Sequence, residues 1–216
     1  MNRLTRYSLL VLLSGLVAGC ALVGGGKSGG IAVHSPLPTH GTAAPEGPVL
    51  PWQLVIARPS AERMIDSARI AVRTHPNELQ VYRGAVWSMP ATDLVETSVL
   101  RALEDSRRLA GVARSSSGLR ADSRLVMDVC RFEADYAGRS TPVATIEISA
   151  KLLHSQTQRV VASQVFLHHE PAGSTALTDV VPAFQTALSR SSLAIAGWLL
   201  ANGQRDHQVL SSPGTR

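Results

Sequence analysis

Histidines and their neighbours are the first residues to test for metal chemistry. The chain has seven histidines, and a His-Glu-x-x-His run on a helix or a cysteine–histidine spacing would indicate zinc. Neither pattern is present in the sequence. His168, His169 and Glu170 are adjacent and could supply ligands, but neighbouring residues on a strand point to opposite faces. We therefore predict that the chain holds no metal and no cofactor.

Carboxylates, serines and glycines give no stronger signal for catalysis. Asp128, Glu133 and Asp135 lie on one predicted strand, with Asp128 across the pleat from the other two. Without a pocket to perturb their pKa values, such groups are charges on the surface. No Gly-x-Ser-x-Gly run is present. Gly26-Lys27-Ser28 matches the end of a phosphate loop, but Ala21 occupies the position of its first glycine. The sequence predicts a protein that is not an enzyme.

The first of the two cysteines lies in a secretion signal. Cys20 follows the basic residues Arg3 and Arg6, an apolar run at 9–16 and the small residues Val17-Ala18-Gly19, an order typical of a signal peptide. This arrangement resembles the lipobox of bacterial lipoproteins, which implies cleavage before Cys20, a diacylglycerol on its sulfur and acylation of the freed amine. Two or more acyl chains suffice for stable anchoring. The apolar run is shorter than the roughly 20 residues of a spanning helix.

The residues after the lipobox and the second cysteine complete this prediction. By resemblance to lipoprotein sorting, Ala21 in place of an aspartate implies the outer membrane. Cys130 lies in a strand-like run and is expected to be a small buried side chain. Because Cys20 is expected to be acylated, no intramolecular disulfide is predicted.

Composition indicates one folded domain behind a linker. Hydrophobic residues make up 44% of the chain, which is enough for a core. The formal net charge is +5, and loss of Arg3 and Arg6 with the signal leaves 19 basic against 16 acidic residues. This charge is too small and too scattered to indicate nucleic acid. Residues 21–51 carry seven glycines and five prolines, a composition that predicts a linker with an end-to-end distance of about 30 Å.

Alternating and helical periods follow one another from Trp52 onward. The change of parity between Val129 and Phe132 predicts either a β-bulge or a strand that leaves one sheet face for another. Thr178 is expected to cap the last helix, and Gly203 is expected to end it. Strands are predicted at 52–56, 69–73, 78–83, 124–136, 144–152 and 160–168, and helices at about 90–108 and 178–203.

These elements predict an α+β fold. Two helices with one buried stripe each, and strands with one wet face, favour a two-layer sandwich of two main helices on a mostly antiparallel or mixed sheet. The predicted organisation is a signal peptide at 1–19, a lipidated linker at 20–51, a domain at 52–203 and a disordered tail at 204–216. Trp52, Tyr82 and Trp87 could be interaction hot spots or core residues, and the core is favoured for Trp87.

One stretch carries a resemblance to a known family. The run 76–87, PNELQVYRGAVW, is followed at once by the helix at 94–103, and this order resembles the ABC-type transport auxiliary lipoprotein family, which includes paraquat-inducible protein C-like proteins. The resemblance covers about 52–200. Further blocks similar to the family, in the family's order, are 66–73, 102–106, 118–122, 132–136 and 159–163.

The resemblance implies a non-enzymatic transport component. The family works beside mammalian-cell-entry (MCE) domain systems, which move phospholipids or other lipids between the two membranes of Gram-negative bacteria. It implies an outer-membrane lipoprotein that faces the periplasm and docks an MCE-domain protein. Homo-oligomers fit the ring-shaped partner, although the sequence does not require them.

Two alternatives remain at this stage. The first is a lipoprotein that binds a lipid or another apolar ligand in its own pocket. A cavity of about 300 Å³ or more lined by Leu and Ile would favour this alternative. The second is a hydrolase of unrecognised type. Asp128 or a histidine beside a serine in a cleft would favour this alternative.

Overall fold

The computed structural model describes residues 30–37 and 47–211 of the chain. The predicted signal peptide and the predicted lipidation site, Cys20, lie outside these residues. Within the described residues nine strands form one mixed sheet and two α-helices pack on it, which confirms the α+β prediction. The strands are β1 (Ala32–His34), β2 (Leu50–Ile56), β3 (Ser60–Ala61), β4 (Arg69–His75), β5 (Glu78–Trp87), β6 (Leu109–Arg114), β7 (Ser123–Asp135), β8 (Val143–His154) and β9 (Val160–Pro171), and the helices are α1 (Ala91–Ser106) and α2 (Leu177–Ser211).

The long strand β7 lies at the centre of the sheet. Along one edge it pairs antiparallel with β8 over nearly its whole length. Along the other edge it pairs in succession with β2, β3 and β4, which all run parallel to it. The sheet continues from β8 to β9, from β2 to β6, and from β4 through β5 to β1. β1 and β9 therefore lie at opposite edges.

β7 contains the bulge that its residue pattern predicts. The pairing with β8 shifts between Val129 and Arg131, so Cys130 is the extra residue. A bulge of one residue restores the parity of the strand, and the apolar side chains on both sides of it therefore face the same core. These buried side chains are Leu125, Met127, Val129, Phe132 and Ala134.

The two helices cover this apolar face. α2 packs on β8 and β9, and α1 packs against α2 and β6. The Ser98 hydroxyl donates a hydrogen bond of 3.1 Å to Ser192 between the helices. Trp87, Phe132 and Phe184 form an aromatic cluster with ring centroids 5.0 to 6.0 Å apart. The interior between sheet and helices is thus filled by interlocking rings and aliphatic side chains.

The prediction that α2 ends at Gly203 is wrong, because the helix continues to Ser211. A Cβ added at Gly203 would lie 2.4 Å from Cζ2 of Trp52. The Trp52 ring is buried and stacks on His207, with the ring centroids 5.3 Å apart. The glycine therefore serves a close approach of helix and ring, and the described part of the predicted tail, 204–211, is helical.

Other local differences are smaller. The strands β1, β3 and β6 were not predicted, and β1 lies within the segment read as a linker. Thr178 is not the helix cap, because α2 begins at Leu177 and the Ala176 carbonyl accepts the first helical hydrogen bonds. The prediction that Cys130 is buried is also wrong, since the bulge leaves this residue exposed.

Candidate functional site

The sheet face away from the helices carries an ion network centred on Glu133. This carboxylate is fully buried, and it accepts hydrogen bonds from Arg73 through Nε at 2.7 Å and Nη2 at 2.9 Å. Arg131 donates through Nε at 2.7 Å to the same carboxylate and through Nη2 at 2.7 Å to Asp135. The hydrogen bond to Glu133 raises the pKa of Arg73. Because both carboxylate oxygens are engaged by guanidinium groups, the network clamps β4 to β7.

The bulge also corrects the predicted placement of the carboxylates. Asp128 was predicted to lie across the pleat from Glu133, but it lies on the same face because Cys130 is an extra residue between them. Asp128 is exposed and accepts a hydrogen bond of 2.7 Å from the Ser60 hydroxyl. Partial burial, followed by the nearby Asp128 charge, raises the pKa of the Cys130 thiol. The hydrogen bond between Ser60 and Asp128 therefore joins β3 to β7.

The adjacent histidines point to opposite faces, as the sequence predicts. Nδ1 of His168 lies 3.1 Å from Oγ of Ser191 on the helix side, and burial lowers the pKa of His168. Nδ1 of His169 lies 3.1 Å from Oγ1 of Thr145 on the other side. Among the described residues no group of three or more histidine, cysteine, aspartate or glutamate side chains could hold a metal ion.

The aromatic side chains singled out in the sequence belong mainly to the core. Trp52 and Trp87 are each only 1% exposed, so neither is available for a partner at the surface. Tyr82 is half-buried and packs against the same core, and this burial raises its pKa. The two tryptophans therefore stabilise the body.

A second polar cluster holds the loop before β4 against the start of α1. Arg58 donates hydrogen bonds to Asp66 at 3.0 Å and to Asp93 at 3.2 Å. The Thr92 hydroxyl donates to Asp66 at 2.6 Å. The Thr92 hydrogen bond and then Arg58 lower the pKa of Asp66. The cluster therefore fixes the loop at 62–68.

Two surface pockets are lined by described residues. The larger, of about 550 Å³, is formed by the loop before β4, and the smaller, of about 390 Å³, lies between the start of β9 and the end of α2. Neither of these two pockets is lined by Leu or Ile. Their lining residues are Arg63, Met64, Asp66, Ser67 and Arg69 for the larger, and Arg159, Val161, Asn202, Arg205 and Asp206 for the smaller.

Arg69, which lines the larger pocket, lies in one row of the sheet with a residue of the edge strand β1. Val33 of β1 lies opposite Val86 of β5, and Arg69 of β4 lies opposite the same residue, so the three share one cross-strand row. Val33 is 65% exposed and Arg69 is exposed. Sequence analysis missed this group because β1 has only three residues and no measurable period.

The Glu133 network was missed for a different reason. Arg131, Glu133 and Asp135 place a charged group at every second residue, which is the signal of side chains on one strand face. That signal was available in the sequence, but the partner Arg73 comes from a strand 60 residues away. Only the β4 and β7 pairing brings the two together.

No helix of the part of the chain that the structure describes is long and apolar enough to cross a membrane. The sequence model of the ABC-type transport auxiliary lipoprotein component family matches residues 35–196. Comparison with curated proteins gave no match.

Solved structures include similar proteins. One from Xanthomonas campestris, described as a DUF330 protein, is 51% identical with a TM-score of 0.78, covering 82% of this chain and 99% of its own. An uncharacterized protein is 15% identical with a TM-score of 0.56, and the match covers 70% of this chain and 94% of the other. This similarity supports the fold alone. PelC from Paraburkholderia phytofirmans, crystallised as a dodecamer, is 15% identical with a TM-score of 0.41 over 69% and 95%, which is too low to inform the assembly of this chain. Since the family model spans about three quarters of the sequence, the chain belongs to the ABC-type transport auxiliary lipoprotein component family.

Proposed function

We propose that this chain is the membrane-anchored component of an intermembrane lipid transport system of the ABC and MCE type. In this role the folded body docks the MCE-domain conduit, and acyl chains on Cys20 hold it at the outer membrane, facing the periplasm. The observation that supports the proposal is the family match over residues 35–196, since that family is an auxiliary component of transporters.

The packed interior favours docking over ligand binding by the chain itself. The space between sheet and helices is filled by large side chains such as Trp87, Phe132 and Phe184. The two pockets described above open on the surface, and four of the five residues that line each of them are polar or charged. A carrier of an apolar ligand would instead need an apolar cavity that buries most of the ligand.

The anchor can be tested on its own by mass spectrometry of protein extracted from membranes. We expect a mature chain that begins at Cys20 and carries acyl groups on its sulfur and amine. Cys20→Ser is expected to abolish both the acyl mass and the membrane association. A mature chain that begins elsewhere with an unmodified Cys20 thiol would contradict the anchoring proposal.

The docking role is tested by crosslinking the intact lipoprotein in membranes that contain its native partners. We expect crosslinked material to contain an MCE-domain protein, with Cys20→Ser reducing its yield because the body is no longer held at the membrane. The same samples report homo-oligomers as multiples of the chain mass. If no MCE-domain protein is found in repeated experiments and lipid copurifies with the chain, the docking proposal is contradicted and ligand binding by the chain itself is favoured.

A further inference from the structure

Pairing of β1 with the sheet shortens the chain between body and anchor. The linker predicted from sequence runs from Cys20 to Pro51, a length that could span at most about 110 Å. In the structure Ala32 already belongs to β1 and pairs with Ala85 of β5. Ala32 lies twelve positions after Cys20, and twelve Cα-to-Cα steps span at most about 42 Å. The tether therefore enters the body at the edge formed by β1, and its length limits the distance between that edge and the anchor to about 42 Å.

The side chains at this edge suit lipid headgroups. Val33 is 65% exposed and lies two strands from Arg69 in one row, a separation of about 10 Å. Arg63 and Arg69 line the same pocket of about 550 Å³ together with Met64. Both arginine side chains are exposed and neither forms an ion pair within the described residues. One guanidinium group can donate two parallel hydrogen bonds to the oxygens of a phosphate. Val33 and Met64 add apolar contact with the lipid.

We propose that the surface formed by Val33, Arg63, Met64 and Arg69, called here the β1 corner, lies against the bilayer that holds the acyl anchor and binds its phosphate-bearing headgroups. This inference rests on the proposed lipidation of Cys20. It adds a second, orienting contact to the anchor, so that the opposite edge at β9 faces away from the membrane.

Acidic groups near the β1 corner leave its two guanidinium groups available. Asp66 lines the pocket, but Arg58 and the Thr92 hydroxyl both donate hydrogen bonds to it. Asp93 also accepts a hydrogen bond from Arg58. Glu62 is a further exposed carboxylate of this loop. The β1 corner is therefore expected to bind the membrane through contacts of its two arginines with phosphate groups and not through a large net charge. Glu62→Gln is expected to strengthen this binding.

The test places a fluorescent probe on the lipidated full chain in vesicles. Cys130→Ser removes the unacylated thiol, and Val33→Cys then carries the probe at the β1 corner. Val165→Cys is the matched control, because Val165 is 57% exposed on β9, five strand spacings or about 24 Å away. The vesicles contain phosphatidylcholine, phosphatidylglycerol and a lipid with a nitroxide quencher on its headgroup. We expect at least threefold stronger quenching at Val33→Cys than at Val165→Cys.

Charge and tether length supply two independent controls. Arg63→Gln with Arg69→Gln is expected to lower the equilibrium constant for contact about 25-fold, about fivefold for each basic residue at an anionic surface. Arg120→Gln with Arg124→Gln removes the same charge from the far end of β7 and is expected to leave quenching unchanged. Insertion of 18 Gly/Ser residues after Gly30 is expected to lower the equilibrium constant for contact about fourfold. The reason is that the effective concentration of the β1 corner at the bilayer falls as the −3/2 power of the tether length.

Flotation of the vesicles distinguishes a failure of the anchor at Cys20 from a failure of the β1 corner. A chain that does not float with the vesicles would overturn the anchoring at Cys20 and this inference with it. A chain that floats but shows equal quenching at Val33→Cys and Val165→Cys would overturn the β1 corner alone. Loss of quenching with the Arg120 and Arg124 pair of substitutions would also overturn it, because the effect would then be one of total charge.

Discussion

Replacement of Gly203 by alanine tests how closely α2 approaches the sheet. A Cβ at this position would lie 2.4 Å from Cζ2 and 2.6 Å from Cη2 of Trp52. Carbon atoms in contact are normally 3.5 to 4.0 Å apart, so ring and helix would have to separate by about 1 Å. Trp52 has little freedom to yield, because it is 1% exposed and stacks on His207.

The size and sign of the effect follow from two opposing terms. Glycine to alanine inside a helix stabilises by about 1 kcal/mol through backbone entropy. Overpacking a filled core destabilises by about 1 to 3 kcal/mol, and the predicted clash at Gly203 places this site toward the upper half of that range. We expect Gly203→Ala to lower the free energy of unfolding by about 1 to 2 kcal/mol.

Gly197 provides a matched control in the same helix. Apart from its two chain neighbours and the backbone of the helix itself, no atom lies within 4 Å of a Cβ added there, so Gly197→Ala keeps the entropy gain without the clash. We expect it to raise the free energy of unfolding by up to about 1 kcal/mol. Urea unfolding followed by circular dichroism gives both values, and the two substitutions are expected to have opposite signs.

A double-mutant cycle assigns the effect of Gly203→Ala to the Trp52 ring. Trp52→Phe removes the ring atoms closest to the added methyl group, so the penalty of Gly203→Ala is expected to disappear in that background. Equal stabilisation by Gly197→Ala and Gly203→Ala in the wild-type background would refute the close approach. A penalty that persists unchanged in Trp52→Phe would refute its assignment to this ring.

Three further predictions concern charged groups and the thiol. Glu133→Gln should lower the free energy of unfolding by about 3 kcal/mol, because it leaves guanidinium groups without their buried partner, and hydrogen exchange should increase in β4 and β5 more than in β8. Asp66 has a lowered pKa, so its stabilisation is present above its unfolded pKa of about 3.9 and is lost as pH falls through the folded value. Thr92→Val should therefore flatten the acid limb of unfolding free energy against pH, and an unchanged limb would contradict this. Cys130 should react with maleimide in the folded protein, and faster in Asp128→Asn, because partial burial and then Asp128 raise its pKa.

Sequence patterns predicted the long elements because their signals are local. The alternation in β8 follows directly from one buried face, and the bulge in β7 follows from the parity change between Val129 and Phe132. Each of these patterns extends over ten or more residues of one strand. A period measured over such a length is not easily produced by chance, so these predictions needed no knowledge of the partner strands.

Two of the differences, at Gly203 and at β1, depend on residues that are distant in sequence, whereas the one at Asp128 is local. Gly203 has the appearance of a helix end, and only the Trp52 ring explains why the glycine is needed inside the helix. Asp128 was assigned to the wrong face because the parity change was recognised but not carried through to the polar side chains. β1 has three residues and forms only because the edge of β5 is available to it.

The Glu133 network gains a mechanical meaning once the anchor is considered. Under the proposed anchoring at Cys20, a force on the anchor would enter the described body at β1 and pass through β5 to β4. The ladder between β4 and β7 contains only the three pairs that begin at Ala71 and end at Arg73, whereas β7 and β8 pair over twelve residues. A short parallel ladder is a weak link between the edge that holds the tether and the centre of the sheet. The buried hydrogen bonds from Arg73 to Glu133 reinforce the sheet at that link, where the proposed anchoring would place load.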